Sequence, residues 1–265
     1  MTDTFKIIFG LVTPFAGTAL GAATVFFLRG GIDPVVRKAM LGFASGVMIA
    51  ASVWSLIIPS IEMAKSMSVP AWLPATVGFL SGIALLLLID KVTPHIYSDA
   101  PESCAGASCR TSMLFLAVTI HNIPEGMAVG VAFAGVVAGA SGEAGSAVTL
   151  AEAMVLSLGI AIQNLPEGSI ISVPMHAKGI SKGKAFAYGT LSGAVEPLGA
   201  AITVALASVV SPALPYILSF AAGAMLYVVV EELIPEMSAG EHSNIGVVMF
   251  ALGFTMMMAL DTALG

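Results

Sequence analysis

Long apolar runs with few charged residues fill most of this chain, and they restrict its fold more than any other feature. Hydrophobic residues make up 57% of the 265 residues and charged residues only 10%, whereas soluble domains carry roughly 25% charged residues. Runs of about 20 apolar residues match the ~30 Å hydrocarbon core of a bilayer when they are helical. The runs are continuous, unlike the alternating ~10-residue segments of a membrane β-barrel. The sequence therefore predicts an all-α, polytopic membrane protein.

Polar or turn-rich stretches divide the apolar sequence into eight predicted transmembrane helices, which we number spans 1 to 8. Their approximate bounds are 5–28, 39–64, 72–92, 112–138, 150–173, 184–209, 213–237 and 243–263. We expect the eight spans to form one transmembrane domain that covers residues 1–265.

The basic residues are distributed unevenly among the loops between the spans. Of the ten Lys and Arg residues, Lys6 and Lys65 lie on one side of the predicted membrane. The others follow spans 1, 3 and 5, on the opposite side: Arg29, Arg37, Lys38, Lys91, Arg110, Lys178, Lys182 and Lys184. Because cytoplasmic loops are enriched in Lys and Arg, we expect both termini on the non-cytoplasmic side of the cell (inner) membrane.

Spans 1 to 3 resemble spans 6 to 8 in sequence. The segment LGFASG at 41–46 matches LSFAAG at 218–223, and TALGAA at 18–23 matches EPLGAA at 196–201. Asp90 ends span 3 as Asp261 ends span 8. Since spans 1 and 6 cross the membrane in opposite directions, the two copies form an inverted repeat around spans 4 and 5. Inverted repeats are typical of transporters whose substrate sites lie near the middle of the bilayer.

Spans 4 and 5 each carry a polar cluster in the middle of an apolar run, HNIPEG at 121–126 and QNLPEG at 163–168. The first residue and the glutamate of each cluster are four positions apart, so they share one helix face. The asparagine lies one position round, and span 6 adds a mid-span glutamate. The candidate metal ligands are His121, Asn122, Glu125, Gln163, Asn164, Glu167 and Glu196.

Three carboxylates at one membrane depth need a counter-charge. An unpaired acid in a membrane span costs at least ~2.5 kcal/mol, and neighbouring acids also repel one another. A divalent cation offsets the charge and satisfies the oxygens. Mixed nitrogen and oxygen ligands suit Zn²⁺, Fe²⁺, Mn²⁺ or Co²⁺ better than Ca²⁺ or Mg²⁺. The pattern therefore predicts a transition-metal site.

The paired motifs HNIPEG and QNLPEG on adjacent central spans resemble those of the Zrt/Irt-like (ZIP) family of divalent metal transporters, and most of all its GufA-like prokaryotic branch. The resemblance implies a two-metal centre on a path into the cytoplasm. It implies one site formed by His121, Glu125, Gln163 and Glu167. The second site would use Asn122, Asn164 and Glu196, bridged by Glu125 and Glu167. It also suggests an elevator-like or rocking movement of one helix set against the other. We expect spans 1, 4, 5 and 6 to form the metal-carrying unit and the other four spans the scaffold, and packing of this scaffold against a second copy would make a homodimer.

Acidic residues near the cytoplasmic ends of the spans extend this picture. Glu231 and Glu232 in span 7, Asp90 at the end of span 3 and His176 at the end of span 5 are candidates for a path of weak ligands on which the ion is released. Alternatively, these side chains only solvate the helix ends at the membrane interface and do not bind the ion. The role of Cys104 and Cys109 stays open, because two thiols alone rarely hold zinc.

Other function classes fit the sequence less well. An intramembrane metalloprotease needs a motif such as H-E-x-x-H, which the chain lacks, so we expect no enzyme activity and no catalytic cofactor. A proton-coupled cation exchanger that uses the same carboxylates remains an alternative. The expected partners are divalent metal ions and the lipid bilayer, without nucleic acid. The sequence does not rank zinc against iron, manganese, cobalt or cadmium, nor a carrier against a channel-like mechanism.

Overall fold

The computed structural model describes residues 3–27, 31–92, 107–140, 148–207 and 213–264, and regular structure in these ranges is entirely helical. The helices are α1 (Asp3–Ala23), α2 (Pro34–Ala51), α3 (Ile58–Ala64), α4 (Trp72–Val92), α5 (Ala107–Ala140), α6 (Leu150–Ala177), α7 (Lys182–Ser192), α8 (Val195–Ala207), α9 (Leu214–Val228), α10 (Ile234–Ser238) and α11 (Ile245–Leu264). Spans 1, 3, 4, 5 and 8 correspond to α1, α4, α5, α6 and α11. Span 2 joins α2 to α3, span 6 joins α7 to α8, and span 7 joins α9 to α10.

The lengths of these helices confirm a polytopic membrane protein. Within the described ranges, 7 helical stretches are long and apolar enough to cross a membrane, and a shorter apolar helix, Asn122–Val137, lies within α5. Together they account for the eight predicted spans. The predicted bounds differ from the observed helices by a few residues at most ends, since capping residues rather than the apolar run fix where a helix begins. Span 2, for example, was predicted from residue 39, but α2 begins at Pro34, where the Asp33 side chain accepts from the Val35 and Val36 N–H groups.

Spans 2 and 7 contain one π-helical turn each, at Ser52–Ile57 and Val229–Leu233. A proline follows each turn at the second position of the next helix, Pro59 and Pro235. Proline removes a backbone donor, and π turns occur as local insertions in α-helices, often at functional sites. The two turns occupy matched positions of the predicted repeat, so the repeat is visible in the backbone as well as in the sequence.

Helix packing follows the same internal symmetry. The most extensive contacts join span 1 to span 5, span 4 to span 6, span 2 to span 8, and span 3 to span 7. The repeat relates spans 1, 2 and 3 to spans 6, 7 and 8 and exchanges spans 4 and 5, so each pair has its counterpart. We call spans 1, 4, 5 and 6 the first helix set and spans 2, 3, 7 and 8 the second helix set.

Glycines allow the paired backbones to touch in both sets. A Cβ at Gly126 would clash with the backbone carbonyl of Glu196, which brings span 4 against span 6. In the second set, a Cβ at Gly223 would clash with the carbonyl of Phe79, which brings span 7 against span 3. Small residues at such crossings are the usual means by which membrane helices approach closely. The contact at Gly126 has a further consequence, because it fixes Glu196 beside the polar cluster of span 4.

Candidate metal centre

Polar side chains from spans 4, 5 and 6 converge inside the first helix set. Five of the predicted ligands are at most 1% exposed: Asn122, Glu125, Gln163, Asn164 and Glu196. Glu167 is half-buried. His121 lies in α5, but its side chain is outside the described residues. The described part of the predicted ligand set therefore forms one buried group in the membrane-spanning region.

Hydrogen bonds connect the ligand-bearing spans in pairs. Gln163 Nε2 of span 5 donates to Glu125 Oε1 of span 4 over 2.6 Å. Asn122 Nδ2 of span 4 donates to Glu196 Oε1 of span 6 over 3.2 Å. Each carboxamide thus uses its N–H group to hold a neighbouring carboxylate.

Span 6 is interrupted just before Glu196, a feature that the sequence interpretation missed. Helix α7 ends at Ser192 and α8 begins at Val195. The Glu196 N–H group donates to the Gly193 carbonyl over 3.0 Å, one residue short of the α-helical partner. This leaves the Ser192 carbonyl to accept from Asn122 Nδ2, at 3.2 Å. The glycine and proline that flank Glu196 in SGAVEP were the available signal for the break.

Span 1 contributes to the centre as well, although no residue of span 1 was among the predicted ligands. Asn164 Nδ2 donates to the Pro14 carbonyl over 3.4 Å, and Pro14 is the repeat counterpart of Ser192. The counterpart of Glu196 is Thr18, whose hydroxyl donates to Glu196 Oε1 over 2.8 Å. The match between TALGAA and EPLGAA already aligned Thr18 with Glu196 and was the signal for its place.

Buried acceptor oxygens remain after these hydrogen bonds are formed. Among the described residues, no donor reaches Asn122 Oδ1, Glu125 Oε2, Gln163 Oε1, Asn164 Oδ1 or Glu196 Oε2. The amide orientations follow from chemistry, because the N–H sides of the carboxamides face carbonyl or carboxylate oxygens that cannot donate. Buried polar groups without partners cost several kcal/mol where water is absent. A cation is the partner that satisfies several acceptors at once.

Three carboxylates of the centre lie close to one another. Glu167 lies near enough to both Glu125 and Glu196 for its charge to act on each of them. Within the described residues, no three His, Cys, Asp or Glu side chains form a ready metal cluster by themselves. The predicted ligands that the structure describes are three carboxylates and three carboxamides, a set of side chains suited to a cation held mostly through oxygen.

Known proteins are similar to this chain over nearly its whole length. The family model for the ZIP zinc transporter matches residues 93–261. The chain is 36% identical to the zinc transporter ZIP11 of Xenopus tropicalis, over 97% of this chain and 96% of the relative. The chain belongs to the ZIP zinc transporter family. It is also 38% identical to zinc transporter ZIPB of Bordetella bronchiseptica, over 97% of this chain and 81% of the relative. The zinc transporter GufA of Myxococcus xanthus is 35% identical to this chain, over 97% of this chain and 99% of the relative.

Membership of the ZIP family confirms the resemblance predicted from HNIPEG and QNLPEG, including its bacterial GufA-like side. The family and these relatives are transporters by name rather than enzymes. Together with the helices long enough to cross a bilayer, this makes the chain an integral multi-pass membrane protein.

The residues predicted for ion release lie in two places of this ZIP chain. Asp90, Glu231 and Glu232 are all near enough to the Tyr227 hydroxyl for their charges to act on it, and both glutamates belong to the π turn of span 7. His176 makes a local contact at the end of α6, where its Nδ1 lies 2.9 Å from the Ile180 carbonyl oxygen. Cys104 and the side chain of Cys109 lie outside the described residues.

Proposed function

We propose that this ZIP protein carries divalent transition-metal ions, zinc first, across the cell membrane into the cytoplasm. The observation that carries the proposal is the group of buried acceptor oxygens in spans 4, 5 and 6 that no described donor reaches. The similar proteins named as zinc transporters support zinc as the cargo. Iron, manganese, cobalt and cadmium share the ligand preference and are expected as competing substrates.

We assign two neighbouring ion positions to the centre. His121, Glu125, Gln163 and Glu167 hold one ion, while Asn122, Asn164 and Glu196 hold the other, with Glu125 and Glu167 shared between them. The hydrogen bonds of the side-chain amides support this assignment. The N–H groups of Asn122 and Asn164 donate to backbone carbonyls, so the side-chain oxygens of both residues are left for the metal. An uncharged asparagine at 164 weakens the second position, which suits an ion that must leave again.

The internal symmetry supports alternating access as the mechanism. Spans 1 and 5 pack together, as do spans 4 and 6, so the ligand-bearing helices form one set that can move against the second set. On release into the cytoplasm the ion passes Asp90, Glu231 and Glu232, with His176 as a further candidate on that side. In this orientation both termini are outside the cytoplasm, and the second set provides the contact for a homodimer.

Zinc uptake by purified protein in proteoliposomes tests the proposal. Glu125→Gln keeps the side-chain volume but removes a charged ligand, and we expect the initial rate of ⁶⁵Zn²⁺ uptake to fall at least about 100-fold, since losing even an outer partner of a metal ligand costs about 10–100-fold. Glu241→Gln, at an exposed loop position, is the matched control and should transport like the wild type.

Two results would overturn parts of the proposal. Equal uptake by Glu125→Gln and the wild type would leave transport intact and remove the centre. A wild-type protein that transports neither zinc nor any competing divalent ion would refute metal transport, and a proton-driven role for the carboxylates would then take its place.

A further inference from the structure

Thr18 uses its hydroxyl differently from four other threonines of the membrane helices. Thr76 and Thr203 donate to the carbonyl four residues earlier at 2.8 Å, which is the usual local bond of threonine in a helix. Thr13 and Thr262 make the same bond, at 2.7 and 2.8 Å. The Thr18 hydroxyl is 3.5 Å from its own local acceptor, the Pro14 carbonyl.

The hydroxyl is directed at Glu196 instead, across from span 1 to span 6. It donates to Glu196 Oε1 over 2.8 Å, while Asn164 takes the Pro14 carbonyl. Asn122 donates to the same Oε1 over 3.2 Å, so one carboxylate oxygen has two donors. The other oxygen, Oε2, is buried and has none among the described residues.

We propose that Thr18 is a positioning residue that fixes the Glu196 carboxylate with one oxygen held by protein donors and the other presented to the ion. The proposal rests on the metal-transport function proposed above and adds a residue of span 1 to it. Thr18 acts through Glu196 and does not itself contact the ion. The repeat accounts for the pairing. Thr18 in span 1 and Glu196 in span 6 occupy matched positions of the two copies, and the Thr18 hydroxyl donates to the Glu196 carboxylate.

The mechanism of this effect is preorganisation. A hydrogen bond to a charged group is stronger than one between neutral groups. Without the hydroxyl, Glu196 Oε1 keeps the longer hydrogen bond from Asn122 and the carboxylate turns more freely, so part of the binding energy is used to order it again. Zinc affinity should fall, whereas the rate of the transport movement at saturating zinc should change little.

Three variants test this with two measurements, the KM and maximal rate of ⁶⁵Zn²⁺ uptake and the zinc-induced rise in melting temperature of the purified protein. Thr18→Val removes the hydroxyl at nearly constant volume and should raise KM about tenfold, the equivalent of one charge-assisted hydrogen bond, with the maximal rate within about twofold. It should also reduce the zinc-induced rise in melting temperature. Thr18→Ser keeps the hydroxyl donor, so its KM and its zinc-induced rise in melting temperature should match those of the wild type. Thr203→Val is the control, because it loses only a local bond.

Each other outcome contradicts a different claim. A Thr18→Val protein with wild-type KM, or a Thr18→Ser protein as impaired as Thr18→Val, would overturn the positioning role while leaving transport in place. Equal effects of Thr18→Val and Thr203→Val would reduce Thr18 to ordinary packing. A wild-type protein without zinc uptake and without a zinc-induced rise would remove the proposed function, and the role of Thr18 with it.

Discussion

The two helix sets share one way of packing and both use buried serines to join helices, but among the described residues the first set also holds a cluster of buried carboxylates and carboxamides with oxygens that no donor reaches. In the second set, Ser60 of span 2 donates to the Pro215 carbonyl of span 7 over 2.7 Å, and Ser219 of span 7 donates to the Pro74 carbonyl of span 3 over 3.1 Å. In the first set, the carboxylates and carboxamides of spans 4, 5 and 6 keep oxygens that no described donor reaches. Among the described residues of the second set, the Tyr227 hydroxyl has no hydrogen bond of ordinary geometry, although the Asp90 carboxylate lies close to it.

This difference separates polar residues that hold helices together from those that we propose to bind the transported ion. A satisfied hydroxyl between two membrane helices contributes modest stability. A cluster of acceptors without donors is unfavourable until something positively charged enters it. The presence of buried polar residues therefore does not identify the site, whereas the balance of donors and acceptors does.

A pair of glycine substitutions gives the largest expected effect on this comparison. Gly126→Ala and Gly223→Ala each place a Cβ against a backbone carbonyl of the paired span, and each should lower stability by about 1–3 kcal/mol through overpacking. Only Gly126→Ala also displaces Glu196 from the centre. We expect zinc uptake to fall about 100-fold in that variant alone, as a shift of about 1 Å does to other positioned groups.

The comparison needs both stability and binding to be measured for each variant. Thermal unfolding with and without zinc should show a lost zinc response in Gly126→Ala and a retained response in Gly223→Ala. If both variants lost the response equally, the two helix sets would not differ in the way described.

A serine in the second set gives the smallest expected effect. Ser60→Ala removes one hydroxyl that donates between spans 2 and 7, so the free energy of unfolding should fall by about 0.6–1 kcal/mol. Equilibrium unfolding in mixed detergent micelles measures this change. The KM for zinc should stay within about twofold of wild type, and a larger rise in KM would mean that the second set also controls the centre.

Much of the architecture could be predicted from sequence because the bilayer imposes simple rules. Apolar runs gave the spans, and the matched segments LGFASG and LSFAAG gave the repeat that the π turns and helix pairs display. The convergence of Asn122, Glu125, Gln163, Asn164 and Glu196 also followed from the motifs.

Details that depend on packing could not be predicted in the same way. The break before Glu196 has a local signal in SGAVEP, but its use does not: the freed Ser192 carbonyl accepts from Asn122, a residue 70 positions away. The π turns have no sequence signature of their own beyond the prolines that follow them. Thr18 looked like an ordinary helix threonine because its role depends on a partner 178 residues away.

The position of zinc itself tests the central claim most directly. Crystals of the wild-type protein grown with zinc should show anomalous scattering at the zinc edge between spans 4, 5 and 6, at about 2.0–2.2 Å from Glu125 Oε2, and the peak should be lost or moved in Glu125→Gln. Zinc found only near Asp90, Glu231 and Glu232, with the centre of the first helix set free of metal, would contradict the account.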